Sequence, residues 1–400
     1  MQRYRFKTET LGSTDPRLEA ALTAAYAGKY RPLCDCTPDG VPMYIARIAQ
    51  SYVIKRMPNS GNRHGFDCES FEPPAELSGL GEVAGAAIRE DVESGMTTLQ
   101  LDFSLSKGGG KTPPPSSGDS PPTVRTDGSK LTLRGLLHHL WDEAQLNRWT
   151  PGMMERRNWH LVRTLLLRAA ASSKAKGEQL SQLLFVPETF NLDHKDAIAR
   201  RRFEALRRLS ESRGSSRQLM LIVCEVKEIG SARFGFKVIA KHLPDTPLYL
   251  PVDLHKRLAK RFERELALWN ADTTNHLLMI ATFGYDAALN LTIEEASLTL
   301  ATSMWIPVEH TWEMELLETL TREHRRFTKG LRYNLPDTRP LASAVLSDTP
   351  IGPTALYITP PTAGSTFTQE LDTLIEESTV RAWQWNAGAE PMPSLPAAGC

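Results

Sequence analysis

Cys34, Cys36, His64 and Cys68 follow the spacing C-x-C-x27-H-x3-C and include three of the chain's five cysteines. No other feature restricts the fold as much. A zinc ion takes four thiolate or imidazole donors in a tetrahedron, so two segments well separated in sequence have to meet at one point. In C-x-C both thiols fall on one side of an extended chain, because strand side chains alternate with period two. In H-x3-C both donors fall on one side of a helical turn. Between the pairs, Val41 to Met57 reads as two strand-like runs around Ala49-Gln50-Ser51, and a hairpin there brings the pairs together. The competing reading makes the cysteines small buried apolar residues and the histidine a satisfied core residue. C-x2-C is also a better attested zinc spacing than C-x-C. Four competent ligands around one hairpin, with the other cysteines far away, favour zinc. Four protein donors leave no position for water, which makes the zinc structural and not catalytic.

Lys plus Arg and Asp plus Glu each number 47, so no global field draws in nucleic acid or an anionic membrane. Locally, residues 69–102 are acidic and residues 195–217 are basic. The N-terminus, Met-Gln-Arg-Tyr-Arg-Phe-Lys, lacks the apolar stretch of a secretory signal. No run of about 18 apolar residues predicts a membrane span. An odd number of cysteines without a repeated framework points to a reducing cytoplasm. Cys224 lies in an apolar run and reads as core, and the terminal Cys400 does not form a prenylation box.

A chain of 400 residues accommodates about two to four domains. Residues 1–105 read as a zinc-binding N-terminal domain, with a short helix from Pro16 to Ala27 and an alternating strand-like run from Thr97 to Leu105. Residues 106–128, rich in Gly, Pro and Ser, cannot bury enough apolar surface to order themselves and read as a flexible linker. Within them Gly110-Lys111-Thr112 is no phosphate loop: Leu105 stands where the first glycine belongs, and Pro113 to Pro115 forbid the following helix. Residues 129–215 read as helical, with apolar stripes in 131–147 and 156–171 and a basic helix over 194–210, in the manner of a winged-helix or helical adaptor domain. Residues 216–308 read as an α+β domain: a hairpin around Gly230-Ser231, one helix from Asp253 to Trp269, and two further strands. Residues 309–400 give the order α-β-β-β-α-β, which is the core order of restriction-endonuclease-like nucleases. The expected fold class is thus α+β and multidomain.

Two places invite a nuclease reading. Glu225-Val226-Lys227 spells E-x-K on a predicted strand, where the two charges share a face; in metal-dependent nucleases that face holds the metal and the attacking water. Asp348 ends the second predicted strand of the C-terminal segment. The third, Ala355 to Thr359, carries Tyr357 and Thr359 where a nuclease carries its Glu and Lys. One carboxylate offers magnesium too few oxygens, unless Glu315 or Glu318 approaches. Competing with these roles are a solvated strand face for Glu225 and Lys227, and a turn residue for Asp348.

The segments Arg31-Pro-Leu-Cys-Asp-Cys, Gly40-Val-Pro-Met-Tyr-Ile-Ala-Arg, His64-x3-Cys68, Glu72-Pro-Pro, Leu131-Thr-Leu-Arg-Gly-Leu-Leu-His, Glu225-Val-Lys-Glu-Ile and Phe327-x-Lys-Gly-Leu-Arg-Tyr-Asn-Leu-Pro resemble the bacterial domain-of-unknown-function 1173 family over nearly the whole chain, less the linker. The resemblance implies carriage on integrative and conjugative elements, and it makes the Cys/His set part of the family's pattern. The C-terminal segment also looks like a decayed nuclease core, which implies a fold without a complete active site.

Three functions compete. The first is a non-catalytic, zinc-stabilised nucleic-acid-binding or adaptor protein of mobile elements, with DNA, RNA or other element proteins as partners and no membrane. Its contact residues would be Arg200, Arg201, Arg202, Arg207 and Arg208, although Glu204 and Glu211 on the same helix can pair with them. The second is a metal-dependent nuclease using Asp348, or Glu225 with Lys227. The third is an interaction scaffold docking a partner on Trp383 and Trp385.

Overall fold

A computed structural model describes residues 2–48, 51–108, 128–210 and 216–399. Residues 49–50, where the sequence predicts a hairpin turn, most of the expected linker with Gly110-Lys111-Thr112, Glu211 and Cys400 lie outside the described residues. The described residues hold ten α-helices and five sheets in a mixed α/β, multidomain-like arrangement. Among them no helix is long and apolar enough to cross a membrane.

The N-terminal sheet is antiparallel, in the spatial order Thr10–Gly12, Arg3–Arg5, Leu33–Cys34, Val41–Ile48, Ser51–Arg56. Alternation sends Tyr4, Val41, Met43 and Ile45 inward, where they meet Leu22 and Ala25 of the helix Leu18–Ala27.

The stretch 129–215 differs from the helical expectation. Besides its helices it supplies the short strands Arg148–Trp149, Ser173–Ala175, Glu178–Gln179 and Leu184–Phe185. Three of the four pair with distant segments: Trp149 with Phe327, Ser173 with Thr97, and Leu184 with Leu221. Such pairings are tertiary and leave no helical-period signature. The helices Leu133–Glu143 and Trp159–Ala171 have side-chain N-caps, Thr132 and Asn158. Both pack into the core that also takes Leu221, Val223, Leu278 and Ile280.

Those four residues lie on one face of a seven-stranded sheet. Five of its strands pair round a closed circuit: Met220–Ser231, Phe236–Ala240, Leu243–Leu250, Leu291–Ala301, His276–Tyr285 and back to the first. The third and fifth of these in chain order are parallel, and the other pairs are antiparallel. Met220, Ile222, Cys224 and Val226 point inside the circuit, while Leu221 and Val223 point to the helices, so the first strand is buried on both faces. Between the third and fourth strands the expected single helix is two, Val252–Arg261 and Glu263–Ala271. Phe262 leaves helical geometry between them, at φ −112 and ψ 29, and buries its ring in the circuit's core with Leu254 and Leu258.

The C-terminal sheet runs Arg148–Trp149, Phe327–Lys329, Ala344–Leu346, Thr354–Thr359, Arg381–Asn386, with the last two parallel. Helices Thr311–Arg322 and Ser365–Glu377 complete the element order read from sequence. The strand expected over Lys329 to Tyr333 is Phe327–Lys329 instead, and the chain beyond it passes into a turn in which Tyr333 takes a left-handed φ of 48.

Candidate metal centre

Cys34 closes the strand Leu33–Cys34, paired with Tyr4 on one side and Val41 on the other. Cys36 lies in the turn that follows, not on an extended chain. Gly40 ends that turn at φ 73, where a Cβ would meet Leu33. His64 follows the 3-10 turn Gly61–Arg63 in extended conformation, so the expected helical turn between His64 and Cys68 is absent. The two are drawn together instead by a tight turn in which Cys68 N–H donates to the Gly65 carbonyl at 2.8 Å.

The four ligand atoms lie within 4.8 Å of one another. Cys34 Sγ and Cys68 Sγ are 3.6 Å apart, Cys36 Sγ and His64 Nδ1 3.4 Å, and Cys68 Sγ and His64 Nδ1 3.8 Å. Zinc at tetrahedral bond lengths sets S···S at roughly 3.8 Å and S···N at roughly 3.5 Å, so the spacing fits a four-coordinate ion. His64 is 4% exposed and Cys34 is 1% exposed, while Cys36 and Cys68 are half-buried, so the cluster is open to water on one side only.

The electrostatics describe a site short of positive charge. Hydrogen bonding from the Cys34 thiol holds Cys68 down at about 3 against burial, with help from His64 and the Ser70 N–H. Cys34 is pushed up by the same bond and by burial, and Cys36 is pushed up by burial. The other donors to sulfur are neutral: Gln2 Nε2 at 3.7 Å from Cys34 and 3.9 Å from Cys68, and Ser70 N at 3.3 Å from Cys68. A cation held by these four residues would take the place of the shared protons, with the three sulfurs as thiolates.

The nuclease candidates do not converge. Asp348 accepts a forked pair from Arg325, at 2.8 and 3.1 Å, and a third bond from Arg326 N–H at 2.7 Å. Glu315 and Glu318 are exposed on their helix, and the hydrogen bonds to the Asp348 carboxylate come from Arg325 and Arg326. Glu225 lies in a different sheet, 5% exposed. Its partner is not Lys227 but Lys241, at 2.8 Å, with His276 at 2.8 Å and His242 at 3.7 Å. A register shift between Val226 and Glu228 explains the substitution: the bulge takes Lys227 off the face of Glu225 and out to solvent. Burial pushes the Glu225 carboxyl up, but the bonds from His242, His276 and Lys241 outweigh it and hold the group well below the usual range.

Four of the five helix arginines are engaged. Arg201 pairs with Glu188, Arg202 with Asp245, Arg208 with Glu178, and Arg207 loosely with Glu204 at 3.8 Å. Arg200 makes no ion pair among the described residues. Trp385 is 3% exposed and belongs to the C-terminal core, with its indole N–H on the Glu390 carbonyl, while Trp383 is half-buried and donates to Ser394. Sequence reasoning overlooked Lys241 and His242, in the turn between Phe236–Ala240 and Leu243–Leu250, and His276, which opens the strand His276–Tyr285. It also overlooked the buried pair Lys329–Glu313, at 2.9 Å with both side chains 2% exposed.

Fold and centre together define a multidomain-like mixed α/β protein with a half-buried Cys/His cluster that could hold a metal ion. The chain belongs to the protein family of unknown function DUF1173, whose profile matches residues 4–388. Comparison with curated proteins and with solved structures finds no match.

Proposed function

We propose that this protein is a non-catalytic nucleic-acid-binding or adaptor protein of bacterial mobile elements, stabilised by a structural zinc at Cys34, Cys36, His64 and Cys68. The observation that carries the binding half is the outer face of the helix Lys195–Leu206. Arg200, Phe203 and Arg207 follow one another at three- and four-residue spacing, and Phe203 is 67% exposed. An exposed ring between guanidinium groups stacks a base while the cations meet phosphates. The Arg207–Glu204 pair, 70% and 67% exposed, holds Arg207 only weakly.

The non-catalytic half rests on the carboxylates. Asp348 is saturated by Arg325 and Arg326, and Glu225 is committed through one oxygen to Lys241 and His276, with its other oxygen buried and 3.7 Å from His242, so no second carboxylate joins either group to hold a hard cation. The antiparallel meander, helix and parallel last strand of the C-terminal sheet support a restriction-endonuclease-like core that has lost its metal site.

Gel-shift titration at low salt tests the binding half. Arg200→Ala with Arg207→Ala should weaken binding alike for all sequences, because phosphate contacts carry no base information. Unchanged affinity refutes a role for this helix. Incubation of DNA and RNA with the protein and magnesium or manganese should leave both intact, and cutting abolished by Asp348→Ala refutes the non-catalytic half.

A further inference from the structure

The closed circuit of five strands has a specific connectivity. Numbered in chain order, its strands run 1-2-3-5-4 and back to 1, strands 3 and 5 are parallel, and the helices lie between strands 3 and 4. Barrels of the oligonucleotide- and oligosaccharide-binding kind are five-stranded circuits that take ligands on strands 2 and 3, between the loop joining strands 1 and 2 and the loop joining strands 4 and 5. Topology alone assigns no function, so the residues at those places decide.

Both loops emerge at the same end of the barrel. Phe236 at the start of strand 2 pairs with Leu250 at the end of strand 3, and Tyr249 pairs with Thr292 at the start of strand 5. The first loop, 232–235, carries Phe234, which is 83% exposed, with the Arg233 guanidinium 5.3 Å from its ring centre. Gly235 at φ 89 turns the chain so tightly that a Cβ would lie 3.1 Å from the Leu250 carbonyl. The second loop is pinned by Asp286, whose carboxylate accepts from the backbone of Ala288 and Asn290. It presents Leu289, 76% exposed and at a left-handed φ of 60. Between the loops, Lys237 and Tyr249 stand directly opposite each other on strands 2 and 3. Val252, 44% exposed, extends the rim onto the following helix. That helix buries Leu254 and Leu258 and turns Lys256 and Arg257 to solvent. Among the described residues Arg233, Lys237, Lys256 and Arg257 make no ion pair.

We infer that this end of the barrel binds single-stranded nucleic acid, with Phe234 and Tyr249 stacking bases and Arg233 and Lys237 meeting phosphates. The inference rests on the nucleic-acid half of the reading above and gives it a strand type and a second site. Charge selects the ligand: exposed rings beside unpaired cations suit a polyanion with aromatic bases, whereas a neutral sugar chain gains nothing from four free cations. A single strand is required because paired bases present no open face to Phe234. The arginine helix is tied to the other end of strand 3, where its Arg202 holds Asp245.

The test is fluorescence polarisation of the full, zinc-loaded chain with a labelled oligothymidylate of about 15 nucleotides, long enough for one barrel. The comparison ligands are a duplex of equal length and a labelled neutral dextran. Wild type should bind the single strand more tightly than the duplex. Phe234→Ala, on an exposed loop that contributes little to stability, should weaken binding about five- to a hundredfold, the range of one stacked base. Arg233→Gln with Lys237→Gln should lower the slope of log affinity against log salt by roughly one to two. If wild type binds but both barrel variants match it, or the duplex binds better, the barrel site is wrong while the broader reading stands. If wild type binds no nucleic acid at low salt, or takes only dextran, both fail.

Discussion

The N-terminal and C-terminal sheets both keep ionisable groups away from water, and they neutralise them in opposite ways. Around the C-terminal sheet three carboxylates each have a cation from the chain itself: buried Glu313 has Lys329 at 2.9 Å, and the partly buried Glu309 and Asp348 have Arg332 at 2.6 Å and Arg325 at 2.8 Å. In the N-terminal sheet three sulfurs and an imidazole converge, and the donors around the sulfurs are neutral. A buried charge is tolerable only when paired, so the first arrangement has spent its carboxylates on its own cations, while the second leaves a donor set that could hold a metal ion. The difference agrees with the sequence reading, which favoured a metal at the Cys/His set and found too few oxygens at Asp348.

The largest expected effect is from removing the metal. Structural zinc contributes on the order of 10 kcal/mol in small domains, and here it would be folding energy of one region only. A strong chelator should erase hydrogen-exchange protection in Val41–Ile48 and Ser51–Arg56 while Thr354–Thr359 stays protected. Equal loss in both sheets, or none, breaks the contrast. Next in size is the pair Lys329–Glu313. Lys329→Met leaves a carboxylate buried without a partner and should cost about 3–5 kcal/mol in urea unfolding. Adding Glu313→Leu should restore most of it, because two apolar groups need no pairing. A double variant as unstable as the single one means that Lys329 acts by packing, not charge.

The legible parts of this molecule were those written locally. The ligand set of the metal centre, the helix Leu18–Ala27, the strand Thr354–Thr359 and the element order from Thr311 to Asn386 follow from spacing and periodicity. What stayed hidden depends on partners distant in sequence. Nothing near Glu225 announces that a bulge at Val226 would exchange Lys227 for Lys241. The apolar run from Met220 to Val226 predicts a strand, but not that its two faces serve two different cores. Arg202 and Arg208 read as surface charges until Asp245 and Glu178 are brought beside them.

A smaller effect comes from Glu225, whose carboxyl is held below its usual range by His242, His276 and Lys241 in spite of burial. A depressed folded-state pKa gives stability that is present above the unfolded value, about 4.3, and lost as pH falls toward the folded one. Unfolding free energy should therefore decline below about pH 4.3, and Glu225→Gln should flatten that decline while leaving the N-terminal sheet's response to chelator unchanged. An acid limb that is identical in the variant removes Glu225 as its source.

The most direct measurement is the metal content of the purified full chain by mass spectrometry, for wild type, Cys36→Ser with Cys68→Ser, and Asp348→Ala. The account predicts one zinc per wild-type chain, little or none in the double cysteine variant, and one again in Asp348→Ala, with no bound magnesium or manganese in any of them. Absence of zinc from the wild type, or a metal that disappears with Asp348, would contradict it.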